Sequence, residues 1–111
     1  MSYFGTAVIP QSVLTLSNGA NNDIAPNTYH AKISGPTATF SVTGIAGKGS
    51  DGELLILLNS TAFAMTLQDM NTGSAAANRV YTGTGTNVTV NSHALLIYDT
   101  SNSRWQLLSH A

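Results

Sequence analysis

The sequence predicts an all-β fold: a single small antiparallel β-sandwich or jelly-roll-like domain with an extended N-terminal arm. Three observations carry this. Apolar residues alternate with polar ones over short segments, as in residues 12–17 and 38–45, which is the period of a strand with one buried face. Gly, Asn, Ser and Pro punctuate the chain between those segments, at the spacing of turns in a small all-β domain. The longest apolar run, Leu54-Leu55-Ile56-Leu57-Leu58, is too short for a typical helix and apolar on both faces, so it reads as a central strand or an assembly contact.

Taken in order, residues 1–11 form the expected arm and residues 12–111 the expected domain. Tyr3, Phe4, Ala7, Val8 and Ile9 follow no helical period, and Pro10 lacks the N–H that an interior ladder needs. This apolar stretch is expected to contact a neighbouring subunit or larger scaffold, or to pack on its own domain. Leu14 and Leu16 share one face of the first strand. The polar loop after it carries one large apolar residue, Ile24, expected to point inward. Strands follow at residues 29–34 and 38–45, either side of Gly35-Pro36; in the second, Ala38, Phe40 and Val42 are expected inward, with Thr39, Ser41 and Thr43 on an outer face.

The brevity of Asn59-Ser60-Thr61 predicts a hairpin between the central run and residues 62–68. Residues 74–77, Ser-Ala-Ala-Ala, read as one helical turn capped by Ser74. Extended structure resumes at residues 79–82 and 86–90, with Val88 and Val90 inward. A second apolar run at residues 94–98 is the expected companion of residues 54–58, and with residues 104–108 it forms a terminal hairpin. Asp99 and Arg104 flank that hairpin's loop and are positioned to pair, while Arg79 can clamp the carbonyls of the alanine-rich loop.

Composition restricts function. At 111 residues the chain is one domain. Charged residues are 8% of it, against about 25% in ordinary proteins, so uncharged Ser, Thr and Asn must cover the surface. A net charge of -1 without any basic run disfavours nucleic acid and anionic membrane as partners, and gives little protection against self-association. No apolar run nears the ~18 residues of a membrane span, and no signal-peptide pattern opens the sequence, so synthesis in the cytoplasm is expected. There is no cysteine, which removes disulfides, thiolate nucleophiles and cysteine zinc sites.

Candidates for chemistry are few. Glycines 44, 47, 49 and 52 surround Lys48, but only two residues separate Gly44 from Gly47-Lys48 and a strand follows, so both spacing and context differ from a phosphate loop. His30, His93 and His110 show no paired spacing that would ligate a metal. Asp51 and Glu53 share a face, yet calcium needs six to eight oxygen ligands and their neighbourhood is poor in them, so they read as turn carboxylates. No nucleophile elbow or Ser/His/Asp grouping stands out. Tyr3, Tyr29, Tyr81, Tyr98 and Trp105 could line a sugar platform, although Tyr98 and Trp105 look like core or hairpin residues. No catalytic residue, cofactor or metal ligand is assigned.

The segments TFSVTGIAGKGSDGELLILLN (39–59), FAMTLQDMNTGSAAANRVYT (63–82), NVTV (87–90) and ALLIYDTSNSRWQLLS (94–109), preceded by SNGANNDIAP, resemble in order and spacing a β-rich domain common in tailed-bacteriophage virion proteins. There, a TGI…GxDGxxLxLxN strand precedes xTLxxxx…SxAxNRI and a closing xxxYDxxxxRW. The matching residues are Gly44, Asp51, Gly52, Asn59, Asn78, Arg79, Tyr98, Asp99, Arg104 and Trp105. The resemblance implies a non-enzymatic structural protein of the virion surface that assembles as a homotrimer with other capsid or tail proteins. A short arm without a fibre shaft fits a capsid decoration or head-fibre protein; the alternative is a tail or tail-fibre component that binds a host receptor or surface glycan through loops 18–28 and 69–78. Trimer contacts are expected at Leu55, Leu57 and Leu96, and arm contacts at Tyr3, Phe4, Val8 and Ile9.

Overall fold

A computed structural model describes residues 10–111. Its strands are β1 (Gln11–Thr15), β2 (Gly19–Asn21), β3 (His30–Ser34), β4 (Phe40–Val42), β5 (Leu54–Asn59), β6 (Met65–Leu67), β7 (Val80–Tyr81), β8 (Val88–Val90), β9 (His93–Asp99) and β10 (Arg104–His110), with a short 3-10 turn at Ala76–Asn78. The fold is all-β, as the alternation predicts.

The chain steps between two sheets at almost every connection. One has six strands in the order β1-β3-β5-β9-β10-β7; the other has four, β2-β4-β6-β8. Because the chain visits the opposite sheet before returning, β1, β3 and β5 run parallel, and so do β2, β4 and β6. Solenoid-like coils of two strands are thereby stacked on one another. Between the named strands, antiparallel pairing enters where the stack closes, at β5–β9, β9–β10 and β6–β8. This corrects the antiparallel sandwich or jelly roll expected from sequence. The predicted hairpin between β5 and β6 is also absent: the two strands lie in different sheets, and residues 60–64 turn a corner between them. The terminal β9–β10 hairpin and the pairing of the two apolar runs are as predicted.

Polar side chains build the corners. The Asn18 carboxamide accepts from the N–H groups of Thr37 and Ala38, tying the first coil to the second. Asn21 donates to the carbonyls of Ser17 and Ser41. Gly35 has φ +106°, and a Cβ there would lie 2.5 Å from the Leu16 carbonyl oxygen, so this corner requires glycine.

The core lies between the sheets. Ala31, Ile33, Leu55, Leu57, Ala94, Leu96 and Trp105 face Phe40, Val42, Met65, Leu67 and Val90, with Ile24 and Ile45 filling one end. Rows form along the stack, such as Phe40, Met65 and Val90 in direct register. Ile24 points inward as expected. Ser41 and Thr43 do not face solvent as predicted: both are buried, because loop residues cover that side of β4.

Candidate functional site: an apolar sheet face and a cleft

Strand geometry sends alternate residues of β5 and β9 to opposite faces. Leu55, Leu57 and Leu96 are 3%, 0% and 0% exposed inside the chain's own core. That corrects their assignment to a subunit interface, since they are not available to a partner. The opposite parity is available. Leu54 is 38% exposed, and Ile56, Leu58, Leu95 and Ile97 are half-buried on the outer face, Leu54 in register with Ile97 and Ile56 with Leu95. Val13, 64% exposed, and Leu108, 56% exposed, sit at the margins of the same sheet. No described element lies over this stripe; its shoulders are polar, with Gln11, His30 and Lys32 on one side and Gln106 and Ser109 on the other. Sequence reasoning missed it because β5 is apolar in both parities, so periodicity could not say which leucines face out. Tyr3, Phe4, Val8 and Ile9 lie outside the described residues.

A second feature is a cleft of about 490 Å³ between residues 26–29, the glycine loop and the start of β5, with Tyr29, Lys48, Glu53, Leu54 and Trp105 in its lining. Glu53 shapes it: its carboxylate accepts from the N–H groups of Lys48 and Gly49, holding the glycine loop against the sheet. Trp105 forms its floor at 1% exposure, its Nε1–H donating to the Ile45 carbonyl at 2.9 Å. Tyr98 meets Trp105 edge to face and donates its hydroxyl to the Ala77 carbonyl. Both aromatics are therefore core residues and no sugar platform, in keeping with the sequence reading. Tyr29, by contrast, is 45% exposed at the cleft rim.

Loops 18–28 and 69–78, candidate receptor loops on sequence, are bound to each other. The Asp23 carboxylate accepts from the Asn78 carboxamide and the Ala75 N–H, which hold its pKa below the ordinary 3.8. Ser74 accepts from the Asp23 N–H and shares a 2.7 Å hydrogen bond with the buried Thr43 hydroxyl. Ser74 is thus a buried tie rather than a helix cap; the short turn has Ala75 at its N-cap and no side-chain cap. Arg79 donates to the Ser74 carbonyl, as anticipated. Arg104 is opposite Asp99 in register, but its guanidinium lies 3.9 Å from the centre of the Tyr81 ring, while Asp99 accepts from Asn102 and Gln106. Those two amides lower the Asp99 pKa.

Among the described residues, no group of three His, Asp or Glu side chains could hold a metal. Asp51 accepts from the Thr100 N–H, so it and Glu53 both brace turns. Neither a family model, nor a curated protein, nor a solved structure matches the chain.

Proposed function

We propose that this chain is a non-enzymatic structural protein of a tailed-bacteriophage virion surface, a capsid decoration or head-fibre protein that assembles as a homotrimer. The observation that carries the reading is the apolar stripe of Leu54, Ile56, Leu58, Leu95 and Ile97, over which no described element lies. In a chain with so few charges, such a stripe favours a permanent contact. The residues behind the resemblance support it from another side, because the fold uses them internally. Gly44 sits where a Cβ would lie 2.5 Å from Ser74, Gly52 turns at φ +78°, and Asn59 donates to the carbonyls of Phe63 and Val90. Asn78, Arg79, Tyr98 and Trp105 make the loop and core ties described above. A signature consumed in holding a fold suits a scaffold.

Immunogold labelling of intact virions with an antibody to this chain tests the reading. Label over the head supports decoration, and absence of label from purified particles overturns a virion role. Label at the tail instead supports the alternative, a tail component that binds a receptor or glycan, for which the cleft beside the exposed Tyr29 is the favouring observation. Under that alternative, Tyr29→Ala lowers adsorption to host cells.

A further inference from the structure

We infer that the outer β5–β9 stripe of each copy receives residues 3–9 of a neighbouring copy, so that the subunits exchange N-terminal arms. The inference rests on the homotrimer reading and names the contact within it. Three features of the chain converge.

The first is shape. The stripe is two strands wide, about 10 Å, and spans Leu54 to Leu58, about 14 Å. Polar Lys32, His30 and Gln106 flank it. A second sheet laid face to face would press those side chains into the contact and desolvate them. One extended segment covers the apolar residues and leaves the shoulders wet.

The second is the chemistry of the segment. Residues 1–9 contain no charged side chain, and Tyr3, Phe4, Ala7, Val8 and Ile9 are more than half of them. In an extended chain Phe4 and Val8 share a face, about 13 Å apart, which matches the length of the stripe.

The third is where the segment joins the fold. Pro10 leads directly into Gln11, the first residue of β1, which is the edge strand of that same sheet. Gln11 is in register with His30 and through it with Ile56. A chain continued from Gln11 along the strand direction would leave the sheet beyond the row of Leu54 and Ile97. Returning to its own stripe requires a reversal at Pro10 and a crossing over the outward side chains of β3. The eight residues 2–9 reach about 27 Å when extended, enough to lie along a neighbour's stripe.

The absence of native cysteine makes the test clean. Val8→Cys is combined in turn with Leu54→Cys, Ile56→Cys and Leu58→Cys in the full chain, and each variant is oxidised by air with a copper catalyst. Native mass spectrometry and thermal unfolding verify assembly and folding of the reduced proteins, and deletion of residues 2–9 provides an independent variant. The expected result is disulfide-linked dimers and trimers on a non-reducing gel in at least one pairing, collapsing to monomer with reductant and absent from the single-cysteine controls. The deletion is expected to reduce the native mass to that of one chain and to raise binding of an apolar fluorescent dye. An intrachain disulfide alone overturns exchange in favour of the chain's own arm. Free thiols in all three pairings, with a trimeric native mass and a deletion variant that stays trimeric, overturn arm docking but leave the homotrimer standing. A monomeric native mass of the unmodified protein overturns both.

Discussion

The contacts around Thr43 and Gly44 show how single residues hold the coils together. Thr43 is 2% exposed, and its hydroxyl donates to the Asn22 carboxamide at 2.6 Å while accepting from Ser74. Thr43→Val keeps the shape and leaves the Ser74 hydroxyl without its acceptor, so a loss of about 1–3 kcal/mol is expected in urea unfolding. At Gly44 the constraint is steric, because an added Cβ would stand 2.5 Å from Ser74 and 2.7 Å from the Asn78 carbonyl oxygen. Both neighbours are fixed by the loop tie, so Gly44→Ala is expected to cost about 1–3 kcal/mol, read as a lower unfolding midpoint. The same tie sets an acid dependence. Hydrogen bonds from Asn78 and Ala75 depress the Asp23 pKa below 3.8, so its contribution to stability is present above that ordinary value and is lost as pH falls through the lower folded one. An NMR titration of the Asp23 carboxyl is expected to give a midpoint below 3.8, and Asn78→Ala is expected to raise it. These ties join residues some 20 to 55 positions apart, and no local spacing in the sequence announces them. Their raw material, an unusual supply of Ser, Thr and Asn, was visible.

At the scale of the strand, the apolar run at 54–58 could be read as central because it lacks a polar face, and β5 is indeed an interior strand beside β9. What the run could not disclose was parity and partner. Parity is set by pairing, which puts Leu55, Leu57 and Asn59 inward and Leu54, Ile56 and Leu58 outward. Partner choice was obscured because Asn-Ser-Thr and Gly-rich turns serve a hairpin and a solenoid corner equally well, so local signals for β5 and β6 did not distinguish one sheet from two. The two faces should respond differently to mutation. Leu57→Ala opens a void in the core and is expected to cost about 2–5 kcal/mol. Ile56→Asp is expected to leave the circular dichroism spectrum unchanged and to shift native mass toward a single chain. A variant that stays fully assembled would remove the outer stripe from the interface.

Over the whole molecule, the stacked coils leave β1 at the edge of one sheet and β2 at the edge of the other. Such edges expose unpaired backbone groups and invite association. With a net charge of -1, long-range repulsion does little to oppose it. In the proposed homotrimer, assembly would be part of stability, because dissociation would accompany unfolding and the equilibrium would depend on protein concentration. For three chains unfolding from one trimer, a hundredfold rise in concentration adds two-thirds of RT ln 100 per chain, about 1.8 kcal/mol. A domain of this size moves its midpoint by roughly 4–8 °C per kcal/mol. Calorimetry between ~1 and ~100 μM is therefore expected to show a rise on the order of 10 °C, and the variant lacking residues 2–9 is expected to show none. A midpoint for the unmodified protein that stays fixed across that range would mean that the outer leucines of β5 and β9 do not meet other copies before the chain unfolds.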